Sequence, residues 1–434
     1  MTGRRSTART DIASYWLHAG MPGGFAILAI ALAMGGSARA QVVPKAHTEL
    51  LNAVEACGKD ARSLLERTVA IDSGSGDAEG LAAVAAIGAA ELKALGATVK
   101  MVPPPAGASA GDNVVATLSG TGKGRILLIS HMDTVFRPGD VARVRPHWEG
   151  DSYFGPGAGD DKAGMVTVIC ALRALKAIGF HDFARIDVLL NASEEMGSSG
   201  SKDLIRAMAK ESDLVLNQER GVPSDKILVA RKGGGVLTME FTGRPAHSGL
   251  EPEKGRNAAL EASRVALEVG KLADPKLQTT VTVTMLQGGE RVNIVPAHAE
   301  LKADVRAYTQ AEWDRVGRAA AELAAHPGID GVTITSNLVQ LFPPWERSAA
   351  DDAIVAKAQR LYAELGRSLT TTQVGSSADI SFAVQDGTPG LDGFAMEGAD
   401  AHADRDHTDF KTLTPRAYLL ARMLMETGHD PKGK

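Results

Sequence analysis

Two kinds of hydrophobic pattern alternate along the chain, and their order predicts an α/β fold. Helical patterns occupy residues 48–69, 80–95, 165–178 and 201–210. Apolar or β-branched runs lie between them, at residues 98–102, 113–118, 125–130, 186–193 and 213–218. Continuous runs of this kind are typical of strands in a sheet that is covered on both faces. The sequence therefore predicts a mixed sheet flanked by helices.

The order of elements changes after about residue 235. A strand pattern that begins there is followed by a helix at 257–272, strands at 279–286 and 299–305, a helix at 310–325 and a strand at 332–336. This strand-helix-strand-strand-helix-strand order is that of a ferredoxin-like unit. We therefore interpret residues 236–342 as an inserted α+β domain. Residues 41–235 and 343–434 would then be the two parts of the catalytic domain.

The first 40 residues have the order of a secretory signal peptide. Arg4, Arg5 and Arg9 precede an apolar run at residues 25–34, and small residues follow as far as Ala40. The run is shorter than the roughly 20 residues that a membrane-spanning helix needs, so we expect no stable membrane anchor. The mature chain is expected to be secreted or periplasmic. The sequence leaves open whether export follows the general or the twin-arginine route.

Composition excludes two further classes of protein. The chain has 434 residues, enough for two domains, and its formal net charge of -5 gives no basic face for nucleic acid. Only two cysteines are present, Cys57 and Cys170, which excludes a disulfide scaffold. Cys170 lies in an apolar helical stretch and is expected to be a small core residue. One bridge between the two cysteines remains an open alternative.

Two adjacent carboxylates, Glu194 and Glu195, end the strand predicted at residues 186–193. In open α/β sheets, ligands bind beyond the carboxyl ends of the strands. At such an edge one carboxylate can bind a metal ion while its neighbour acts as a base. Taken alone, the same pair also fits the solvated first turn of a helix, where acids are favoured by the helix dipole.

Other segments place chemically similar residues after strands. His131 and Asp133 follow the strand at 125–130, and Glu219 follows the strand at 213–218. Along an extended backbone the side chains of His131 and Asp133 point to the same side. His131 can thus face a metal ion while Asp133 orients a ligand or base.

A glycine-rich loop at residues 155–164 carries Asp160 and Asp161 where a helix begins. A phosphate site is a poor interpretation, because two carboxylates would repel phosphate and attract cations. Four predicted strands thus end at His131, near the Asp160 loop, at Glu194 and Glu195, and at Glu219, and this joint placement indicates a metal centre. Near the C-terminus, His402 and His407 compete for a ligand role, and their spacing alone does not separate them.

Together these motifs resemble peptidase family M20, a family of co-catalytic zinc peptidases and amidohydrolases, and especially its glutamate carboxypeptidases of the carboxypeptidase G2 type. The resemblance covers nearly all of the mature chain. It is carried by residues 130–135, 155–162, 194–195, 243–249, 293–296 and 304–306, together with Glu219 and His402. It implies a zinc-peptidase-like mixed sheet with an inserted ferredoxin-like lid or dimerisation domain.

The resemblance also implies how two Zn²⁺ ions are held in each subunit. Asp160 would bridge them. His131 and Glu219 would complete one site, and Glu195 and His402 would complete the other. The family register before the last helix favours His402 in this role over the second histidine of the segment.

Further roles follow from the same resemblance. Glu194 would be the general base that moves a proton from water to the leaving amine, and Asp133 would hold the ring of the neighbouring histidine ligand. His247 would reach the active site of a second subunit in a homodimer and stabilise the tetrahedral oxyanion. Asn293 and Arg306 would contact the substrate.

The expected activity is hydrolysis of the amide bond of a C-terminal amino acid in peptides or N-acyl amino acids. Lys226 is a candidate for binding the terminal carboxylate, with a solvated loop lysine as the alternative. Residues 336–344 contain no arginine, whereas glutamate-specific relatives have basic residues there, so an apolar side-chain preference is also open. The rival functions are an aminopeptidase or dipeptidase, and a non-catalytic binding protein of the same fold.

Overall fold

Six strands form the central sheet, and the apolar runs of the sequence supply its middle. The computed structural model describes residues 45–108 and 111–431, so the predicted signal peptide at residues 1–40 lies outside the described residues. The strands, in their order across the sheet, are β1 (Thr98–Val102), β2 (Asn113–Ser119), β6 (Arg185–Asn191), β3 (Arg125–His131), β7 (Leu214–Asn217) and β14 (Gly390–Leu391). All five strands predicted before residue 235 are present, with ends within two residues of those expected.

Strands β6, β3, β7 and β14 run parallel, whereas β2 pairs antiparallel with β6, and β1 antiparallel with β2. The parallel strands are buried on both faces. Ile126 and Leu128 of β3 belong to one hydrophobic cluster, and Leu127 and Ile129 belong to another. Alternate side chains of one strand therefore enter two cores, which is why this strand reads as a continuous apolar run.

Ten helices cover the sheets in the described part of the chain. They are α1 (Thr48–Val69), α2 (Ala78–Ala94), α3 (Asp140–Val144), α4 (Ala163–Ala177), α5 (Lys202–Lys210), α6 (Ala258–Gly270), α7 (Gln310–Ala325), α8 (Ala349–Ala363), α9 (Ile380–Ala383) and α10 (Leu413–His429). None of these helices has both the length and the apolar composition needed to cross a membrane. Cys57 of α1 and Cys170 of α4 form a disulfide, with their Cα atoms 5.8 Å apart, so the open question of their pairing is answered in favour of a bridge.

A second sheet has a hydrophobic core of its own. Its strands are β9 (Gly233–Thr242), β10 (Thr280–Gly288), β11 (His298–Ala307) and β12 (Thr333–Phe342). They are all antiparallel in the order β10-β11-β9-β12, and α6 and α7 pack on them. This is the ferredoxin-like order, so the predicted fold class is confirmed. The boundaries at residues 236 and 342 stay predictions. β12 continues to Phe342 and is longer than its predicted span of residues 332–336.

Two small sheets were missed, and the strands of the first have only two or three residues, too few for a hydrophobic period. β4 (His147–Glu149) and β5 (Ser152–Phe154) form a small sheet with β15 (Gly398–Ala399) and β16 (His407–Asp409), and β8 (Lys226–Arg231) pairs with β13 (Thr370–Val374). One expectation needs correction here. The strand before Asp160 is β5, which belongs to the small sheet and not to the central one.

Candidate metal centre

Three neighbouring parallel strands bring acids and a histidine to one edge of the central sheet. His131 is the last residue of β3, Glu194 and Glu195 begin a short 3-10 helix after β6, and Glu219 follows β7. Because these strands run in the same direction, their carboxyl ends meet at the same edge. The parallel direction of the strands therefore brings these four residues to one place.

The remaining two side chains reach this edge from loops. Asp160 lies in the glycine-rich segment directly before α4, where Gly157 has a φ of 73° that favours glycine. Its neighbour Asp161 is buried and accepts a hydrogen bond of 2.7 Å from the hydroxyl of Ser130. His402 lies in the turn between β15 and β16 and has a φ of 65°, a strained conformation that is rare for a residue other than glycine.

Asp160 lies between two histidines and offers one carboxylate oxygen to each. The Nε2 atom of His131 is 3.2 Å from Oδ1 of Asp160 and 3.5 Å from Oε1 of Glu219. The Nε2 atom of His402 is 3.4 Å from Oδ2 of Asp160 and 3.1 Å from Oε2 of Glu195. Each histidine thus faces two carboxylates, and one carboxylate is shared.

The chemistry of this donor set fits divalent metal ions. Two groups of residues each bring three donor atoms within 4.8 Å of one another. One group is His131, Glu194 and Glu219, and the other is His131, Asp160 and Glu195. Both groups lie at this edge, and the described ranges contain no other group of this kind. The Oε1 atom of Glu195 is buried and has no hydrogen-bond partner among the described residues. Carboxylate oxygens and imidazole nitrogens at this spacing are the ligands that zinc takes in proteins.

Burial and like charges act together on Glu194. The carboxyl group is 7% exposed, and burial raises its pKa well above the usual value, with further upward contributions from the charges of Glu219 and Glu195. For Asp160 the net shift of the pKa is downward. Burial raises its pKa, but hydrogen bonds to His131 and His402 outweigh burial and hold the pKa well below its usual range. The two acids thus differ in proton affinity although they share one site.

Asp133 holds the loop that carries the two glutamates. Its Oδ1 atom accepts a hydrogen bond of 3.0 Å from the backbone N–H of Glu194, and its Oδ2 atom accepts one of 3.1 Å from that of Glu195. The ring of His131 contacts the backbone carbonyl of Asp133 at 2.9 Å, while the carboxylate is 3.5 Å away. The carboxylate therefore supports the glutamate backbone more closely than the histidine ring.

A second buried carboxylate supports the same loop, and the sequence reading missed it. Asp379 accepts hydrogen bonds from the hydroxyl of Ser198 and, at 2.7 Å, from the side-chain amide of Asn191. Burial raises its pKa to about 6. An acid directly after the run of small residues at 375–378 was the available signal.

A cavity of about 360 Å³ contains the acidic side chains on one side and three arginines on another. Arg231 donates hydrogen bonds of 2.6 Å to Asp392 and 2.8 Å to Ser376, and its Nη2 atom is 3.5 Å from Glu219. The predicted substrate residue Arg306 lines the same cavity, as does Arg220. Arg231 was missed, although a cation at the end of the apolar strand β8 was a signal for it.

Four predicted substrate or catalytic residues do not line this cavity, and one of them is Asp133, described above. Lys226 begins β8 and lies outside it. His247 is exposed in the loop after β9, where its Nδ1 atom accepts hydrogen bonds of 3.1 Å from the N–H groups of Gly249 and Leu250. Asn293 lies in the neighbouring loop and accepts a hydrogen bond at its backbone oxygen. Their assignments stay predictions.

The two competing histidines occupy different surroundings. His402 contacts the acids described above. The ring of His407 stacks on Phe154 with the ring centroids 4.6 Å apart, and its Nδ1 atom lies 2.9 Å from the backbone oxygen of Arg405. The ring of His407 is thus already engaged in the small sheet.

Comparison with known sequences gives a family. Residues 127–426 match the sequence profile of peptidase family M20/M25/M40. Carboxypeptidase G2 from Pseudomonas sp. (strain RS-16) is 35% identical over 367 residues, which cover 84% of this chain and 88% of that protein.

Solved structures share the fold at lower identity. Aminopeptidase PepT from Bacillus cereus ATCC 10987 superposes with a TM-score of 0.72 at 22% identity, over 85% of this chain and 98% of that one. A dinuclear metal-binding peptidase of family M20 from Bacillus subtilis superposes with a TM-score of 0.64 at 15% identity, over 86% of this chain and 98% of that one.

Proposed function

Since the chain belongs to peptidase family M20/M25/M40, it is a hydrolase of the metallopeptidase and amidohydrolase class, and we propose that it uses two Zn²⁺ ions to remove a C-terminal amino acid from peptides or N-acyl amino acids. The observation that carries the proposal is the position of Asp160 between two histidine-carboxylate pairs, next to Glu194 and a cavity with arginines. The carboxypeptidase among its relatives supports the same direction of cleavage.

Five residues would hold the metal ions. His131 and Glu219 serve one ion, Glu195 and His402 serve the other, and Asp160 serves both. The pairwise distances of 3.1–3.5 Å between the histidine nitrogens and these oxygens support this division. When bound, the ions supply Lewis acidity that polarises the scissile carbonyl and makes water acidic enough to lose a proton near neutral pH.

Glu194 moves the proton. Its carboxylate takes a proton from the attacking water and gives it to the leaving amine, a contribution of roughly 10²–10⁴-fold to the rate. Asp133 fixes the backbone of this residue from one side, and Asp379 acts on its loop from the other through Ser198 and Asn191. The general base is thereby held at a constant position relative to the metal ligands.

Cations in the cavity bind the terminal carboxylate of the substrate. Arg306 donates a hydrogen bond of 3.2 Å to Ser377, and Arg231 is anchored by Asp392, so both guanidinium groups are held in place. Guanidinium groups bind carboxylates through paired hydrogen bonds. Arg231 and Arg306 are thus added as candidates, whereas Lys226, which does not line the cavity, stays an untested prediction. An aminopeptidase would instead need an acid for the free amine, and the acids of the cavity lining belong to the proposed metal and base set.

Two copies of the chain form a homodimer in this proposal. The strands β10 and β12 are the edges of the second sheet. Leu260 and Leu267 on α6 are 61% and 72% exposed, one helical heptad apart. An edge strand beside an apolar helix face can extend a sheet across a two-fold axis. Such pairing would let His247 serve the metal centre of the other subunit.

Export through the predicted signal peptide places the enzyme in the periplasm or outside the cell. The bridge between Cys57 and Cys170 supports this location, because disulfides persist in oxidising compartments.

The test is a hydrolysis screen of the zinc-loaded enzyme with dipeptides, N-acyl amino acids and amino-acid anilides. We expect release of a free amino acid from blocked substrates that have a free carboxylate. Cleavage of anilides with a free amine, without cleavage of blocked substrates, would favour the aminopeptidase instead. Two bound zinc ions without any turnover would favour the binding protein.

A further inference from the structure

A second cavity adjoins the candidate metal centre and shares one of its acids. It has a volume of about 700 Å³ and is lined by residues 74–78, residues 134–138, Glu195 and Met196. Glu195 also lines the cavity that contains the arginines. Cavities of roughly 300–1,000 Å³ are the size that small-molecule ligands occupy. We call this space the Met196 cavity.

Three polar side chains of the Met196 cavity make hydrogen bonds within the protein. Ser75 donates a hydrogen bond of 2.7 Å to Asp133, and Asp77 accepts one of 3.1 Å from the backbone of Gly80 at the start of α2. The hydroxyl oxygen of Thr134 accepts a hydrogen bond of 3.3 Å from the backbone N–H of Phe136. Of the other polar side chains in the lining, Glu195 is a proposed metal ligand and Arg137 is exposed to solvent.

Four large apolar side chains line this space, and three of them are exposed to solvent. Met196 is 58% exposed and Val135 is 42% exposed, and Phe136 and Pro138 complete the apolar part of the lining. Exposed apolar side chains gathered at a concave surface indicate a binding site, because covering them removes apolar area from water. Arg137 is exposed, so its charge can remain hydrated.

We propose that the Met196 cavity binds the acyl group of the substrate, and that it selects aliphatic or aromatic acyl groups. This inference rests on the proposed function. With the carboxylate of the amino-acid product held by Arg231 and Arg306, the scissile bond lies at the metal centre. The acyl part then continues into the other cavity that borders Glu195. The apolar side chains of the lining favour an apolar acyl group.

The expected effect follows from buried area. Each methylene group that enters an apolar site tightens binding about fourfold. N-hexanoyl amino acids carry four more methylenes than N-acetyl amino acids, so roughly 200-fold is the upper limit for the pair. Because the cavity is partly open, we expect about 10- to 100-fold.

The experiment measures binding without turnover. Zinc-loaded Glu194→Gln protein is titrated calorimetrically with N-acetyl, N-butanoyl and N-hexanoyl derivatives of glutamate and of leucine. We expect the dissociation constant to fall along each series and the heat-capacity change of binding to become more negative. Adding Met196→Ser or Val135→Ser to the Glu194→Gln protein should make the dissociation constant depend less on the length of the acyl chain. The matched control is Met101→Ser, since Met101 is 44% exposed on β1 and lines neither cavity.

Two results would overturn the inference. One is equal affinity along both series, and the other is equal flattening by Met101→Ser and Met196→Ser. Turnover by the wild-type enzyme separates this failure from failure of the proposed function. If the wild type hydrolyses N-acyl amino acids while the binding series is flat, only the acyl-group assignment is wrong. If it hydrolyses none of them, the proposed function is wrong and the assignment falls with it.

Discussion

Replacing Arg231 separates two roles that we assign to one side chain. The guanidinium group neutralises the buried carboxylate of Asp392 at 2.6 Å, and it is proposed to bind the substrate carboxylate. Arg231→Leu keeps much of the volume and removes the charge. It should therefore reduce both the free energy of unfolding and the catalytic efficiency, for different reasons.

The two losses have different magnitudes. Asp392 is fully buried, and breaking a buried ion pair by removing one partner costs about 3–5 kcal/mol of unfolding free energy. Loss of one charge-assisted hydrogen bond to the substrate costs about 1.5–3 kcal/mol, which is roughly 10- to 150-fold in kcat/KM. The double variant Arg231→Leu/Asp392→Asn removes both charges. It should recover most of the unfolding free energy and none of the catalytic efficiency.

The stability loss should also depend on pH. Burial raises the pKa of Asp392 to about 6, and Arg231 opposes this rise. Without the guanidinium group the pKa of Asp392 rises further above its unfolded value of about 3.9. The folded state then binds more protons than the unfolded state above pH 4, so stability is lost as pH rises towards the folded pKa. The loss of unfolding free energy caused by Arg231→Leu should be smaller at pH 5 than at pH 8.

Urea unfolding at both pH values and steady-state kinetics on one N-acyl amino acid measure these effects. Bound zinc is quantified in each variant, because Arg231 is also 3.5 Å from the proposed ligand Glu219. Asp392→Asn alone serves as the matched control. If the double variant regains wild-type kcat/KM, Arg231 has no contact with the substrate and its role is structural.

Three further predictions concern the metal centre. Glu194→Gln should keep two zinc ions and the fold while turnover falls by roughly 10²–10⁴-fold, and near wild-type activity would remove Glu194 from the base role. His402→Ala should lose one zinc ion per chain and His407→Ala none; metal analysis with the opposite pattern would reverse this assignment. Inactive His247→Ala and Glu194→Gln chains should complement when mixed, reaching about half of a wild-type dimer's turnover, because one site of a mixed dimer has both intact groups. Failure despite proven subunit exchange would show that His247 acts within its own chain or not at all.

The sequence predicted the positions of site residues at the strand ends better than those of site residues in loops. His131, Glu194 and Glu219 follow long apolar runs, and strand direction alone brings their positions together. Asp160 follows β5 of the small sheet, whose strands are too short to carry a hydrophobic period. Its position depends on the loop conformation, which spacing does not encode. The choice between His402 and His407 depended on the family resemblance for the same reason.

Residues that act through another residue were the hardest to predict. No short motif surrounds Arg231 or Asp379. Arg231 pairs with Asp392, which is 161 residues away, and Asp379 binds Asn191, which is 188 residues away. Only tertiary packing creates such pairs. A buried charge is nevertheless costly unless it is paired, so a cation or acid within an apolar run signals a distant partner even when the partner cannot be named.

The cost of burying polar groups without partners explains why two buried carboxylates support the loop of Glu194. A general base gains proton affinity from burial, but a buried loop must also satisfy its backbone N–H groups. Asp133 accepts from two of them, and Asp379 binds Ser198 and Asn191 on either side of the glutamate pair. Asp379 also adds negative charge near the base, and this charge is among the causes that raise the pKa of Glu194. Removing either acid should thus disturb the position of the base, and removing Asp379 should also lower the proton affinity of Glu194.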